Sequence, residues 1–314
     1  MNYSEPLLTI SDVMNLLDNR GISYDDKQKA EDTLRTMSLF RLKGYLYPFE
    51  QDHATHLLKS GTTFEKVLKL HDFDVALRAL ISQWLQKIEV SLRTQMSQVM
   101  AEATDQFWHT NPANFRNTSQ HAVLLTKLNS ELNRSDDDQI LAFRRTYSDP
   151  FPPCWMSMEV TSFGTLSLMY KWLRAGNSRR DVASYYGLPD TVMESWIHSF
   201  VYVRNICAHH TRLWNRTLRI QPVAPRHPHH PFISRSSLNS RVYYVLCIIK
   251  YLLDIIDPSH KMQSQLTWLW VNYPMIDKRA MGFPEGWELD PLWRLSYVYY
   301  IIYTHHFYIM LFAP

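Results

Sequence analysis

Apolar residues recur every three or four positions along most of this chain, and long stretches of strict alternation are absent, so the pattern predicts helices with one buried face. Val13, Leu16 and Leu17 after Ser11 predict a short first helix capped by that serine and ended near Gly21. A second helix is expected from about Tyr24 to Phe40. Arg41 to Glu50 then crowds aromatics around Gly44 and Pro48, which predicts a packed connector. The most regular segment is Phe73 to Met100, where Phe73, Leu77, Leu80, Ile81, Trp84, Leu85, Ile88 and Leu92 line one face over several turns. It predicts a long core helix. On its other side Glu89 and Arg93 stand four apart, a spacing usually worth about 0.2–0.5 kcal/mol to a helix.

Polar and proline-containing stretches divide the remainder. Asn111 to Ser119 is a break, and the acidic run Ser135 to Asp138 reads as a solvated loop or helix start rather than a cation site. Pro150 to Pro153 is a rigid link, after which Cys154 to Gly164 leads into a helical stretch through Trp172. Glu159, the one acid in that apolar setting, is expected to be a salt-bridge partner. Gln221 to Phe232 holds four prolines and so predicts an irregular loop, in which His227, His229 and His230 are incidental rather than metal ligands. Ser240 to Ile256 and Met262 to Trp270 predict two more helices. From Tyr297 to Phe312 the chain is rich in Tyr, Ile and Phe, but Thr304, His305 and His306 interrupt it, so a buried or interfacial segment is expected rather than a membrane span.

One window stands apart. Val203 to Arg216 reads V-R-N-I-C-A-H-H-T-R-L-W-N-R, with three arginines, two histidines and two asparagines beside apolar positions. Taken as helix, Trp196, Phe200, Val203, Cys207 and Trp214 form a core stripe with His210 its only polar member. Asn205, His209, Arg212 and Arg216 form a second stripe roughly opposite. On an ideal helix Arg204 lies about 100° from Asn205 and about 140° from His209. The two could share a ligand only through a bend or a second subunit.

The 314 residues, 46% hydrophobic and 20% charged, describe a globular, core-forming chain. A net charge of +3 is compatible with a polyanionic partner without demanding one, so any basic site must be local. Three scattered cysteines, Cys154, Cys207 and Cys247, argue against a disulfide scaffold or structural zinc and for a reducing, cytoplasmic location. Met1 to Ser11 carries no secretory pattern, and no repeat, P-loop or dinucleotide motif is present.

The basic window supports three readings. In the first, His209 exchanges protons with a ribose 2′-hydroxyl or a leaving 5′-oxygen, Arg204 stabilises charge at phosphorus, and Asn205 orients either partner, with no metal needed. In the second, the same face binds RNA or an acidic protein without cleaving, with His210, Arg212, Asn215 and Arg216 on the backbone and Trp214 stacking on a base. In the third, Cys207, His209 and His210 begin a metal site, which the apolar placement of Cys207 and the lack of a second pair argue against. A plain polar network between helices would use the same residues.

The string R-N-I-C-A-H-H-T-R-L-W-N-R closely resembles the signature of the Abi-like family, the abortive-infection proteins of the AbiD and AbiF type, and its Arg204 to His209 core resembles the R-x4-6-H motif of the HEPN superfamily. Further blocks that resemble the family are R-L-K-G-Y-L-Y-P-F (Arg41 to Phe49), F-D-V-A-L-R (Phe73 to Arg78), I-E-V-S-L-R (Ile88 to Arg93), P-P-C-W-M-S-M-E-V-T-S-F-G (Pro152 to Gly164) and M-G-F-P-E-G-W (Met281 to Trp287). The resemblance implies an all-α, HEPN-like helical bundle with additional peripheral helices, in an N-terminal helical region (1–60) and a core (61–293); the apolar tail (294–314) departs from the family pattern and is of unknown role. It implies a metal-independent endoribonuclease toxin of phage defence that leaves a 2′,3′-cyclic phosphate and a 5′-hydroxyl, with Arg204 and His209 as the catalytic pair and Asn205 beside them. RNA is then the partner, as substrate and as a regulatory small RNA antitoxin, and two motifs often pair across a homodimer. No cofactor, DNA or membrane partner is expected. The alternative is a non-catalytic RNA-binding component of a toxin-antitoxin or defence complex.

Overall fold

The computed structural model describes residues 7–234 and 237–294. Among these residues the chain forms twelve α-helices, a few 3-10 turns and one two-stranded hairpin, an all-α architecture. The predicted apolar tail, apart from Arg294, lies outside the described residues. The chain divides into two units, one built from residues up to Leu80 with Gln265–Ile276, the other from Ile81–Ser264 with the chain from Asp277 onward.

The first unit holds α1 (Ile10–Asn19), α2 (Lys27–Thr36), α3 (Leu39–Leu46), the hairpin strands β1 (Glu50–Asp52) and β2 (Leu57–Leu58), and the start of α4 (Phe64–Ala103). The cap of α1 is Thr9 rather than Ser11: its hydroxyl accepts from Asp12 N while Asp12 reaches back to Thr9 N, a reciprocal capping box. The expected helix from Tyr24 to Phe40 is two helices. Asp26 caps α2 by accepting from Lys29 N, and Met37, in extended backbone, separates it from α3. Most of the expected connector from Arg41 is therefore helical, with Gly44 inside α3; the Tyr47–Phe49 turn and Glu50, the first residue of β1, lie outside it. At the centre Asp74 is wholly buried and accepts from the Tyr45 hydroxyl at 2.6 Å and from the Arg78 guanidinium, which also donates to the Tyr45 oxygen at 3.2 Å.

The second unit contains the rest of α4 and helices α5 (Thr118–Arg134), α6 (Asp138–Thr146), α7 (Cys154–Val160), α8 (Phe163–Trp172), α9 (Asn177–Ser184), α10 (Asp190–Ala208) and α11 (Val242–Ile256). The last helix, α12 (Met262–Asn272), begins here and continues in the first unit. As the apolar spacing predicts, α4 buries Ile81, Trp84, Leu85, Ile88, Leu92, Met96 and Met100. Its Glu89–Arg93 pair is not a solvent ornament. Both side chains are largely buried, and Arg93 also donates to the carbonyls of Met158 and Glu159, tethering the end of α7 to α4. Glu159 thus contributes its backbone oxygen to Arg93; its exposed carboxylate forms no ion pair among the described residues. The acidic run starts a helix, with Asp137 capping α6 through Gln139 N and Ile140 N. Helix α11 is buried from Val242 to Leu253, which an almost wholly apolar sequence requires.

His109 lies in this core. Burial pushes its ring pKa down to about 4, and nearby His121 adds to the shift, against the pull of Asp105 and the Pro152 backbone. A depressed histidine favours the neutral ring in the fold, while the unfolded chain takes up a proton near pH 6.5. The contribution is therefore complete above about pH 6.5 and disappears as the pH falls toward 4, a loss of roughly 3 kcal/mol. Chemical unfolding of wild type and His109→Phe at pH 7 and pH 4.5 checks this: the acid-induced loss should shrink in the variant, and equal losses would disprove the assignment.

Candidate active site

Helix α10 is positioned from its buried side. Val192, Met193, Trp196, Ile197, Phe200, Val203, Ile206 and Cys207 follow helical spacing and pack toward α8, α9 and α11. The Trp196 indole donates to Val223 O at 2.9 Å, and Val223 N donates to the Ser195 hydroxyl at 2.9 Å, so the proline-rich segment runs back along the helix. At the helix start Arg179, almost fully buried, pairs with Asp190 at 3.2 Å and Glu194 at 2.5 Å. A rigid core face thus leaves the opposite side of the last turns in solvent.

The basic window is not one helix. Helix α10 ends at Ala208, with His209 as its C-cap and His210 in the left-handed region at φ 55°. His210 N donates to Cys207 O at 3.1 Å and Thr211 N to Ile206 O at 3.0 Å, the paired bonds of a Schellman motif. Histidine and asparagine enter left-handed backbone more readily than most side chains, and Asn215 does so as well, at φ 51°. The expected stripe through Arg212 and Arg216 is therefore replaced by a loop. His210 is exposed rather than part of the core stripe, and Trp214, though buried as expected, is buried from that loop.

Arg204, Asn205 and His209 are all exposed on this last turn and cap. The Arg204 guanidinium swings toward Asn205 Oδ1, 3.5 Å away, and so toward the face that His209 shares. A long side chain, not a helix bend, narrows the divergence that ideal geometry imposes. Arg204 and His209 do not hydrogen-bond to each other among the described residues.

The other candidates have separate placements. Arg212 is half-buried and donates to Trp214 O at 2.9 Å; Arg216, also half-buried, donates to Arg212 O at 3.2 Å. Asn215 accepts through Oδ1 from Arg241 at 2.7 Å. Trp214 is 4% exposed, so its ring offers no open face for a base. Cys207 lies on the buried face while His209 and His210 face solvent, so these three side chains do not converge.

Two residues on the exposed face went unread in the sequence. His198 is exposed and Tyr202 half-buried, and on an ideal helix both fall within about 60° of Asn205 and His209. Spacings of four and seven could have found them. Tyr202 also accepts from Arg219 N at 3.5 Å, which fastens the returning chain to the helix.

A family model described as Abi-like protein matches residues 32–215, more than half of the chain. The chain belongs to the Abi-like protein family. No curated protein and no solved structure matches it. The matched segment of this Abi-like chain includes Arg204, Asn205 and His209 and stops short of the Met281 to Trp287 block. It also contains the blocks that the fold joins: Arg41 to Phe49 meets Phe73 to Arg78 through Tyr45, Asp74 and Arg78, and Ile88 to Arg93 meets Pro152 to Gly164 through Arg93. No helix among the described residues is long and apolar enough to cross a membrane.

Proposed function

We propose that this Abi-like chain is a metal-independent, HEPN-type endoribonuclease that acts as an abortive-infection toxin in phage defence. The observation that carries the reading is the exposure of Arg204, Asn205 and His209 on one helix end, inside the segment that matches the family. His209 takes the proton from a ribose 2′-hydroxyl, whose oxygen then attacks the adjacent phosphorus. Arg204 stabilises the charge that develops on the phosphoryl oxygens, and Asn205 holds the guanidinium toward the histidine's face. The bond to the 5′-oxygen breaks, and that oxygen leaves with a proton from solvent or from a second copy's histidine. The products are a 2′,3′-cyclic phosphate and a 5′-hydroxyl. Two copies meeting about a two-fold axis at the ends of α10 would bring an arginine of one chain to a histidine of the other.

The test is end-group analysis of RNA cut by the purified protein in excess EDTA. Cyclic phosphate and 5′-hydroxyl ends that disappear in Arg204→Ala are expected; loss of activity in EDTA, or 5′-phosphate ends, would overturn the reading. One observation favours a second reading: Arg204 and His209 are not bonded to each other within this chain. On that reading the protein is a non-catalytic RNA-binding component of a toxin-antitoxin or defence complex, bound to a small RNA. Wild-type protein that binds RNA and never cuts it would establish it.

A further inference from the structure

The loop that follows α10 is held by a residue outside the basic window. Arg241 stands at the N-cap of α11, half-buried, and its guanidinium reaches two separate segments. From one nitrogen it donates to Thr217 Oγ1 at 3.1 Å; from another it donates to Asn215 Oδ1 at 2.7 Å and to the carbonyl of Ala280. A planar fork with several fixed donors can span such acceptors at once, which a lysine ammonium cannot do with the same geometry. Backbone bonding adds to the clasp, since Leu218 N donates to Ser240 O at 2.8 Å.

The room for Arg241 depends on Gly282. That glycine is left-handed, at φ 92°, and a Cβ on it would stand 2.5 Å from Arg241 Cβ and 3.0 Å from Cγ. Both the backbone and the space require glycine there. Beyond it Phe283 packs on Tyr243 with ring centroids 4.6 Å apart, and Trp287 and Trp293 complete the cluster, so the turn carrying Ala280 and Gly282 is anchored on α11. The clasp thus runs from an aromatic core through Arg241 to Asn215, whose left-handed backbone shapes the loop between Arg212 and Arg216.

We propose that Arg241 is a positioning residue for RNA: it holds the loop bearing Arg212 and Arg216 so that both guanidinium groups meet the ribose-phosphate backbone beside His209. The inference rests on the RNA reading of the site. Asn215 then serves as the joint of the clasp and not as a contact to RNA, and the glycine-containing block after Met281 serves the site from outside the family segment.

The experiment uses the full chain, a short single-stranded oligouridylate, and three variants: Arg241→Ala, Arg241→Lys and Gly282→Ala. Arg241→Ala should raise KM, or Kd where cleavage is absent, about 10-fold with kcat within about twofold of wild type, the signature of weakened ground-state binding. The dependence of log Kd on log salt should flatten by about 0.7 for each phosphate that the displaced loop no longer neutralises, which a merely structural residue would not change. Gly282→Ala should act in the same direction and Arg241→Lys should recover part of the affinity. Hydrogen exchange across 211–217, followed without RNA, should quicken in Arg241→Ala. Unchanged exchange would overturn the clasp, and faster exchange with unchanged KM and salt dependence would overturn its link to RNA. Wild type that neither binds nor cuts RNA would sink the proposed function and this link together, while exchange would still decide whether Arg241 holds the loop.

Discussion

Purified His209→Ala protein is expected to cleave RNA about 10²- to 10⁴-fold more slowly than wild type, the range that one general acid or base supplies. Its fold should be intact. His209 is exposed, its backbone at φ −86° and ψ 9° suits any residue, and the cap bonds run through main-chain atoms, so stability should change by less than about 0.5 kcal/mol. RNA affinity should also persist, because Arg204, Arg212 and Arg216 are untouched. The combination separates chemistry from binding and from folding. Single-turnover cleavage, a binding isotherm and a melting curve on the same preparation check it. If His209→Ala cuts as fast as wild type, His209 is not the acid or base and the proposed reaction fails. Arg204→Lys adds a geometric test. A lysine keeps the charge but loses the fork that reaches both phosphate and Asn205, so a charge-only role predicts near-normal rates and a bidentate role predicts a clear loss.

The parts of this protein that the sequence made legible are those whose signal is local. Helix α4 could be read from Phe73 to Met100 because its apolar residues recur at helical spacing over many turns; its first turns from Phe64 and its last residues up to Ala103 were missed. The start of α6 was legible because an aspartate before a helix has few other uses. The end of α10 was not legible. Its terminator is His210 in left-handed backbone where a glycine would have announced the stop, and the residues after it, Arg212 to Arg216, happen to continue a plausible helical stripe. The separation of α2 from α3 was hidden for the same reason, since Met37 and Ser38 are not breakers. Arg93 looked like half of a surface pair because its other acceptors, Met158 and Glu159, lie more than sixty residues away. Arg241 gave no signal at all: an arginine before an apolar helix is unremarkable until Asn215 and Ala280 are brought to it. The site follows the same division. Arg204, Asn205 and His209, the proposed site, were singled out by local chemistry and family resemblance, whereas the swing of Arg204 toward Asn205 belongs to the folded chain.

Asp74→Ala should be the most damaging single change away from the proposed site, at about 3 to 5 kcal/mol, the usual cost of removing one partner from a buried ion pair. Asp74 is 0% exposed and the Arg78 side chain 6% exposed, so water cannot replace the missing carboxylate oxygens. The Tyr45 hydroxyl, which donates to Asp74 at 2.6 Å, loses its acceptor in the same step. Surface pairs behave otherwise. Lys27–Asp18, at 2.8 Å with 55% and 36% of the side chains exposed, should contribute less than about 1 kcal/mol, and Lys27→Ala is the matching control. The buried trio does not by that token stabilise the fold more than apolar residues would, because desolvating both charges offsets much of their attraction. A triple variant, Tyr45→Phe with Asp74→Leu and Arg78→Leu, should therefore recover a large part of what Asp74→Ala loses. Urea unfolding, together with amide exchange in α3 and in the first turns of α4, separates loss of this unit from loss of the whole. Recovery in the triple variant with faster, more heterogeneous exchange would assign the trio to specificity, holding α3 in one register against α4, since an apolar contact can slide where a hydroxyl, a carboxylate and a guanidinium joined by directional bonds cannot. A loss below about 1 kcal/mol in Asp74→Ala would instead mean that the variant rearranges to hydrate Arg78, and the burial argument would fall.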